Sequence, residues 1–143
     1  MTWGEIQINT LKKMFVNDEP IDVNSLKELK NNEDYKVFLN NMPMVANEGI
    51  QRIYKYAYPK YEKQVDGTYT KVVPEKITES TNNDYEFKMI EEACVILPLY
   101  MASQLYKDDD ITLATTYRNE FETELAELTT NIENQNVDII YEM

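Results

Sequence analysis

The stretch of sequence that decides the fold is "LPLYMASQLYKDDDITLATTYRNEFETEL", residues 97–125. It consists of two segments with helical patterns, joined by Asp108-Asp109-Asp110. In the second segment, apolar residues recur three or four positions apart, which places their side chains on one face of an α-helix. These residues are Ala114, Tyr117, Phe121, Leu125, Leu128 and Ile132. The pattern predicts two packed helices on either side of an acidic connection.

The three aspartates allow two interpretations. A group of carboxylates suits Mg²⁺ or Ca²⁺, which bind oxygen ligands. However, consecutive residues point in different directions, and no glutamate follows at the offset that an EF-hand loop requires. We therefore predict a turn in which Asp109 or Asp110 caps the following helix and is favoured by its dipole.

Outward from this pair, apolar spacing predicts further helices. The predicted helices cover about residues 2–15, 23–30, 34–57, 85–107 and 111–132. Thr2 and Glu5 have the spacing of a capping box at the start of the first helix. Asn83 or Asp84 is expected to cap the fourth helix.

Pro43 and Pro98 lie inside two of these predicted helices. Because a proline ring removes one backbone hydrogen bond and crowds the preceding turn, we expect a kink or a break at Pro43 and a bend at Pro98. Gly49 lies on the apolar stripe of its helix, where the missing Cβ lets a neighbouring helix come close.

Asp66-Gly67 predicts the turn of a short β-hairpin. The flanking residues 61–65 and 68–73 are rich in Tyr, Thr and Val, and Asp-Gly is favoured in type I′ hairpin turns. Residues 133–143 end in β-branched residues and have no obvious partner strand in the chain. We predict one helical domain over residues 1–132, with a hairpin insertion at about 59–74, followed by an extended arm at 133–143.

Composition limits the classes of function. The 143 residues suit one domain, and 43% hydrophobic residues suffice for a core. The formal charge of −12 repels nucleic acid and anionic lipid, because phosphate binding relies on clustered Lys and Arg. A single cysteine permits no internal disulfide, and no signal peptide or apolar run of membrane-spanning length is expected.

The candidate catalytic groups favour a protein that is not an enzyme. Cys94 lies on an apolar stripe, and the chain has no histidine to activate it, so we predict a core residue. Carboxylates one or two positions apart on a helix do not converge, so the acidic pairs predict a solvated face. These are Glu91-Glu92 and Glu120, Glu122 and Glu124.

Arg118 and Glu122 are four positions apart on the outer flank of their predicted helix. One interpretation is an exposed pair worth about 0.2–0.5 kcal/mol. The other is a salt bridge between subunits, because arginine can bind a carboxylate through two N–H groups.

The 97–125 stretch resembles the last two helices of head–tail connector (adaptor, or head-completion) proteins of tailed phages. The matching features are the entry Leu-Pro-Leu-Tyr, the step Ala102-Ser103, the acidic turn, and Tyr117-Arg118-Asn119-Glu120-Phe121-Glu122. "MTWGEIQINTLKKMF" at the start and Met42-Pro43 before a long helix are also similar to that family. The short hairpin insertion and "YKYAYPKY" depart from it.

The resemblance implies a small antiparallel helical bundle with a hairpin or loop insertion. It also implies a ring, usually a dodecamer, that lies under the portal, extends the DNA channel and offers a surface to the stopper or tail-completion protein. No enzyme activity, catalytic residue, metal or cofactor is implied. The expected location is the head–tail interface of the virion, with assembly in the host cytoplasm and without membrane contact. DNA would pass through without specific binding.

Three surfaces are expected to carry such a function, and the second of them is the intersubunit interpretation of the Arg118–Glu122 pair given above. The arm residues Val137, Ile139, Ile140 and Tyr141 would contact the portal by adding a strand to one of its edges. Arg118 and Glu122 would lie between subunits, and the Asp66-Gly67 turn would face the channel or the next ring. The alternatives are another helical interaction module of a virion or cell, such as a tail-completion protein, and a carboxylate- or metal-dependent enzyme.

Overall fold

The computed structural model of the protein describes residues 1–15, 22–135 and 140–142. Its elements in chain order are α1 (Trp3–Met14), a 3₁₀ turn (Val23–Ser25), α2 (Leu26–Leu29), α3 (Glu33–Ala57), β1 (Tyr61–Lys63), β2 (Tyr69–Lys71), α4 (Glu91–Leu105), α5 (Ile111–Gln135) and β3 (Ile140–Glu142). The prediction of a mainly helical fold with a short β-hairpin is confirmed. None of the described helices is long and apolar enough to span a membrane.

The central element is α4, which packs against α1, α3 and α5. Its side chains are buried on nearly every face, including Cys94, Leu97, Met101 and Ser103. A helix that is apolar all round belongs in the middle of a bundle. The other long helices bury one side each, so α4 is the axis around which the core forms.

The start of α1 is capped by its own side chains. Thr2 Oγ1 accepts a hydrogen bond from the Glu5 amide, and Glu5 Oε1 accepts one from the Thr2 amide, each at 3.1 Å. The predicted capping box is therefore confirmed.

Helices α3 and α4 continue through Pro43 and Pro98, so neither proline breaks its helix.

Gly49 lies on α3 where this helix packs tightly against α4. A Cβ placed there would lie 2.5 Å from Leu97 Cδ1 and 2.9 Å from Tyr100 Cδ1. Both distances are shorter than normal packing permits. The predicted role of Gly49 is therefore confirmed.

The start of α4 differs from the prediction. Residues 85–90 are not helical, and α4 begins at Glu91. The Trp3 amide donates to the Tyr85 carbonyl at 2.9 Å, and the Phe87 amide donates to the Met1 carbonyl at 3.0 Å. These backbone bonds hold the segment extended beside the start of α1. Asn83 and Asp84 therefore do not cap α4.

The hairpin has a longer turn than the predicted two-residue connection. The Gly67 amide donates to the Gln64 carbonyl at 3.0 Å, and the Gln64 amide donates to the Thr68 carbonyl at 2.7 Å. Gly67 has φ +89°. This pattern is a type I turn followed by a glycine bulge, the common three-residue hairpin loop.

The sheet has the strand order β2-β1-β3. β1 pairs with β2 in antiparallel orientation and with β3 in parallel orientation, with Tyr61 opposite Ile140 and Lys63 opposite Glu142. The expectation that the tail has no partner strand in the chain is therefore wrong for residues 140–142. The partner was hidden from sequence because the two strands are almost eighty positions apart.

Candidate functional site

The acidic connection is a helix-capping turn. The amides of Asp109 and Asp110 both donate to the Tyr106 carbonyl, at 3.1 and 2.8 Å. Asp110 Oδ1 accepts from the Leu113 amide at 3.1 Å, which caps α5. The predicted capping turn is confirmed. Across the described residues, no group of three or more Asp, Glu, Cys or His side chains is placed to hold a metal ion.

Cys94 is a core residue, as predicted. It is fully buried on α4, and burial raises the pKa of its thiol to about 12. A thiol with such a pKa is protonated at neutral pH and is a weak nucleophile. Cys94 therefore has the properties of a packed core residue and not those of a reactive thiol.

The pair Arg118–Glu122 belongs to a larger cluster that joins α3 and α5. Arg118 Nε donates to Glu122 Oε1 at 3.1 Å, and Arg52 Nη2 donates to the same oxygen at 2.8 Å. The Arg118 guanidinium lies 5.2 Å from the centre of the Tyr100 ring, and that of Arg52 lies 5.9 Å from it. Phe121 packs beside Tyr100 with ring centres 5.2 Å apart. We call these five side chains the arginine cluster.

Burial and charge set the chemistry of the arginine cluster. The Arg52 and Arg118 side chains keep 41% and 34% of their surface exposed, so both guanidinium groups reach solvent. The Tyr100 hydroxyl donates to Glu48 Oε2 at 3.4 Å. Burial, followed by the charge of Glu48, raises the pKa of the Tyr100 phenol. The cluster can therefore present two cations on an aromatic surface.

Sequence reasoning found Arg118 and Glu122 but missed Arg52. The partner lies seventy positions from Glu122 on another helix, so spacing within one helix does not reveal it. Composition did contain a signal, because Arg52 and Arg118 are the only arginines among 143 residues. The twelve lysines supply every other basic side chain.

A second polar cluster, around Glu75, was also missed. Glu75 accepts hydrogen bonds from the Tyr58 hydroxyl and from the Lys88 amide. Its burial raises the pKa of its carboxyl group, although the Lys88 amide acts in the opposite direction. Burial and the neighbouring Glu75 charge raise the pKa of Tyr85 to about 12. The cluster joins the end of α3 to the segment that precedes α4.

An open pocket of about 500 Å³ lies beside Glu75 and Tyr85. Next to it, Lys88 Nζ pairs with Glu62 Oε2 at 3.0 Å. Both Glu75 oxygens already accept hydrogen bonds from the protein. These contacts link the hairpin and the end of α3 to the segment that precedes α4.

The hairpin turn predicted at Asp66-Gly67 is at the protein surface. Asp66 Oδ1 accepts from the Thr68 hydroxyl at 2.6 Å and from the Thr68 amide at 3.0 Å. These hydrogen bonds lower the pKa of the Asp66 carboxyl. Val65 is 99% exposed, so the turn projects an apolar side chain into solvent.

The predicted arm divides into two parts. Ile140 and Tyr141 lie in β3, whose backbone pairs with β1. Val137 and Ile139 lie outside the described residues. The structure thus places half of the predicted arm residues at the edge of the hairpin.

No protein-family model, curated protein or solved structure matches this chain.

Proposed function

We propose that the protein is a structural subunit of a phage head–tail connector. It forms a homo-oligomeric ring under the portal, extends the DNA channel and links the head to the stopper or tail. Its place is the head–tail interface of the virion, after assembly in the host cytoplasm. It acts through surfaces, without catalysis or a cofactor.

The observation that carries the proposal is the layout of the bundle. Helices α3 and α4 are separated by a hairpin insertion, and α4 continues through an acidic capping turn into α5. This is the layout that the resemblance of residues 97–125 implies. The layout supports the proposal as a fold only.

Charge is compatible with a DNA passage. The formal net charge of −12 opposes binding to the phosphate backbone. A surface that repels DNA allows it to slide past without being held. This property supports a channel wall that lacks specific DNA contacts.

The arm supports portal binding by strand addition. Ile140–Glu142 is already a strand in this chain, held by backbone pairing to β1. Main-chain hydrogen bonds to an open sheet edge supply affinity in β-augmentation. In the proposed complex, Val137, Ile139, Ile140 and Tyr141 pair with an edge of the portal instead.

The test is a pull-down of N-terminally tagged protein from phage-producing cells, with co-purifying chains identified by mass spectrometry. The comparison variant lacks residues 136–143, because α5 continues to Gln135 and stays intact. The control replaces Val37, which is 61% exposed on α3 and lies outside the hairpin that pairs with the arm, with Ser.

We expect the full chain and Val37→Ser to recover portal protein and the truncated chain to lose it. Recovery by all three would keep the connector and move the portal contact away from the arm. Recovery of a tail-completion complex without portal would favour the alternative virion module. Absence of every virion protein would refute the proposed function.

A further inference from the structure

The arginine cluster brings the two arginines of the chain together at one carboxylate. A chain with 26 acidic residues has two arginines, and these lie on different helices. Both donate to one oxygen, Glu122 Oε1. A salt bridge that joins α3 to α5 within the chain requires only one arginine. The second arginine therefore points to a further ligand.

The hydrogen bonds leave most of the arginine donors available. In the described residues, Arg52 uses Nη2 and Arg118 uses Nε, each for a single bond to protein. A guanidinium group is a planar fork whose remaining N–H groups match the two oxygens of a carboxylate. The cluster can therefore accept another carboxylate without releasing Glu122.

The aromatic rings hold the two forks in place. Tyr100 is 6% exposed and Phe121 is fully buried, so the surface beneath the guanidinium groups is fixed by the core. Arg52 lies 5.9 Å from both ring centres. Guanidinium groups held against rigid aromatic rings lose little further entropy when they bind, which favours a ligand with defined geometry.

The surrounding charge favours a ligand with a single carboxylate over one with many charges. Glu48 approaches the cluster through its bond to the Tyr100 hydroxyl, and no ion pair within the described residues joins it to either arginine. Glu122 and Glu48 together oppose a highly charged anion. A side-chain carboxylate carries one charge and matches the fork.

We propose that Arg52 and Arg118 form a receptor for an aspartate or glutamate carboxylate of a second copy of this chain. The affinity for a carboxylate follows from the cluster geometry alone. The choice of a second copy rests on the proposed function, because a ring brings copies together. Since the surface is strongly acidic, each neighbour has many carboxylates to offer and the cluster selects where one docks.

The two arginines make a direct measurement possible. Protein labelled with ¹⁵N-arginine gives one Nε–Hε signal for each arginine, hence two signals in all. Sodium acetate serves as the carboxylate probe, sodium chloride at matched ionic strength as the control, and sodium phosphate as the competing anion. Unlabelled protein is then added to labelled protein up to millimolar concentration.

We expect acetate to shift both signals and chloride to leave them nearly unchanged. Unlabelled protein should shift the same two signals. An unlabelled variant with Arg52→Lys and Arg118→Lys should also shift them, because it still supplies carboxylates. In its own self-association, measured by sedimentation, that variant should be about tenfold weaker than the wild type. Lys55→Gln on the same helix is the control and should associate normally.

Each other outcome overturns part of the proposal. Signals that ignore acetate exclude the carboxylate receptor, and a much larger response to phosphate identifies a different ligand. Signals that respond to acetate but not to unlabelled protein exclude the second copy as its source. Portal recovered in the pull-down without an acetate response leaves the proposed function and removes this site. An acetate response without recovery of portal keeps the carboxylate site and removes the proposed function.

Discussion

At the scale of single residues, Gly49 sets the distance between α3 and α4. We expect Gly49→Ala to lower the free energy of unfolding by about 1–2 kcal/mol, because overpacking outweighs the better helix propensity of alanine. The clash falls on Leu97 Cδ1, 2.5 Å from the added Cβ. Urea denaturation measures the loss.

A double-mutant cycle separates the clash from other effects of the new methyl group. Leu97→Ala removes the atom nearest to the added Cβ, at its own cost in stability. Gly49→Ala should then cost much less in the Leu97→Ala background than in the wild type. Equal costs in the two backgrounds would show that Leu97 is not the obstacle.

Glu75 gives the stability of the protein a predictable dependence on pH. Its carboxyl pKa is raised above the ordinary value of 4.5, chiefly by burial. The folded state therefore holds the proton more tightly than the unfolded state. The contribution of protonated Glu75 to the free energy of unfolding is complete below the pKa that Glu75 has in the unfolded state. It is lost as the pH rises through the pKa that Glu75 has in the folded state.

Glu75→Gln cannot ionise and should lack this loss. The free energy of unfolding of the wild type should fall relative to Glu75→Gln as pH rises through this window. The readout is the slope, since glutamine also changes the bonds to Tyr58 and the Lys88 amide by a constant amount. Glu79→Gln, at an exposed position nearby, is the control and should follow the wild type. Parallel curves for the wild type and Glu75→Gln would contradict the assignment.

At the scale of elements, one asparagine fastens the segment between β2 and α4 to α3. Asn47 Nδ2 donates to the Ile77 carbonyl at 2.7 Å, and Asn47 Oδ1 accepts from the Ile77 amide at 2.8 Å. Ile77 is 2% exposed, so water cannot replace these bonds easily. We expect Asn47→Leu to cost about 2 kcal/mol in the free energy of unfolding.

The control for this substitution is Asn41→Leu on the same helix. Asn41 is exposed, and its replacement should change stability by less than about 0.5 kcal/mol. Chemical denaturation of both variants provides the comparison. If the two asparagines cost the same, the bonds to Ile77 do not anchor the segment.

The helices whose patterns are local were predictable, and the contacts between distant segments were not. The ends of α1 and the start of α5 follow from caps and apolar spacing read within a few residues. Tyr85 and Phe87 looked helical, yet backbone bonds to the chain start hold them extended. Such long-range pairing overrides local preference and leaves no periodic trace in the sequence.

The candidate site divides along the same line. Arg118 and Glu122 share one helix and were visible from their spacing. Arg52 reaches Glu122 only because α3 packs beside α5 around the α4 axis. The Glu75 cluster likewise depends on three segments that meet only in the folded chain.

At the scale of the whole molecule, β1 is the central strand of the described sheet and lies between β2 and β3. The Gln64 amide donates to the Thr68 carbonyl, and the Val72 amide donates to the Lys60 carbonyl. The backbone N–H and C=O groups of even-numbered residues along β1 therefore point towards β2. In an antiparallel pair the intervening residues point to the other side. The amides of Tyr61 and Lys63 therefore face β3.

Deletion of residues 136–143 should change hydrogen exchange at the amides that face β3 and leave exchange unchanged at those that face β2. Hydrogen exchange at Tyr61 and Lys63 should accelerate, because β3 no longer covers them, while exchange at Gln64 should stay slow through its bond to Thr68. Residue-resolved exchange by NMR measures both in one experiment. Equal acceleration at all three would mean that the tail supports the whole hairpin. If Tyr61 and Lys63 did not change, β3 would not cover this edge in solution, and the arm would be open to a partner from the start.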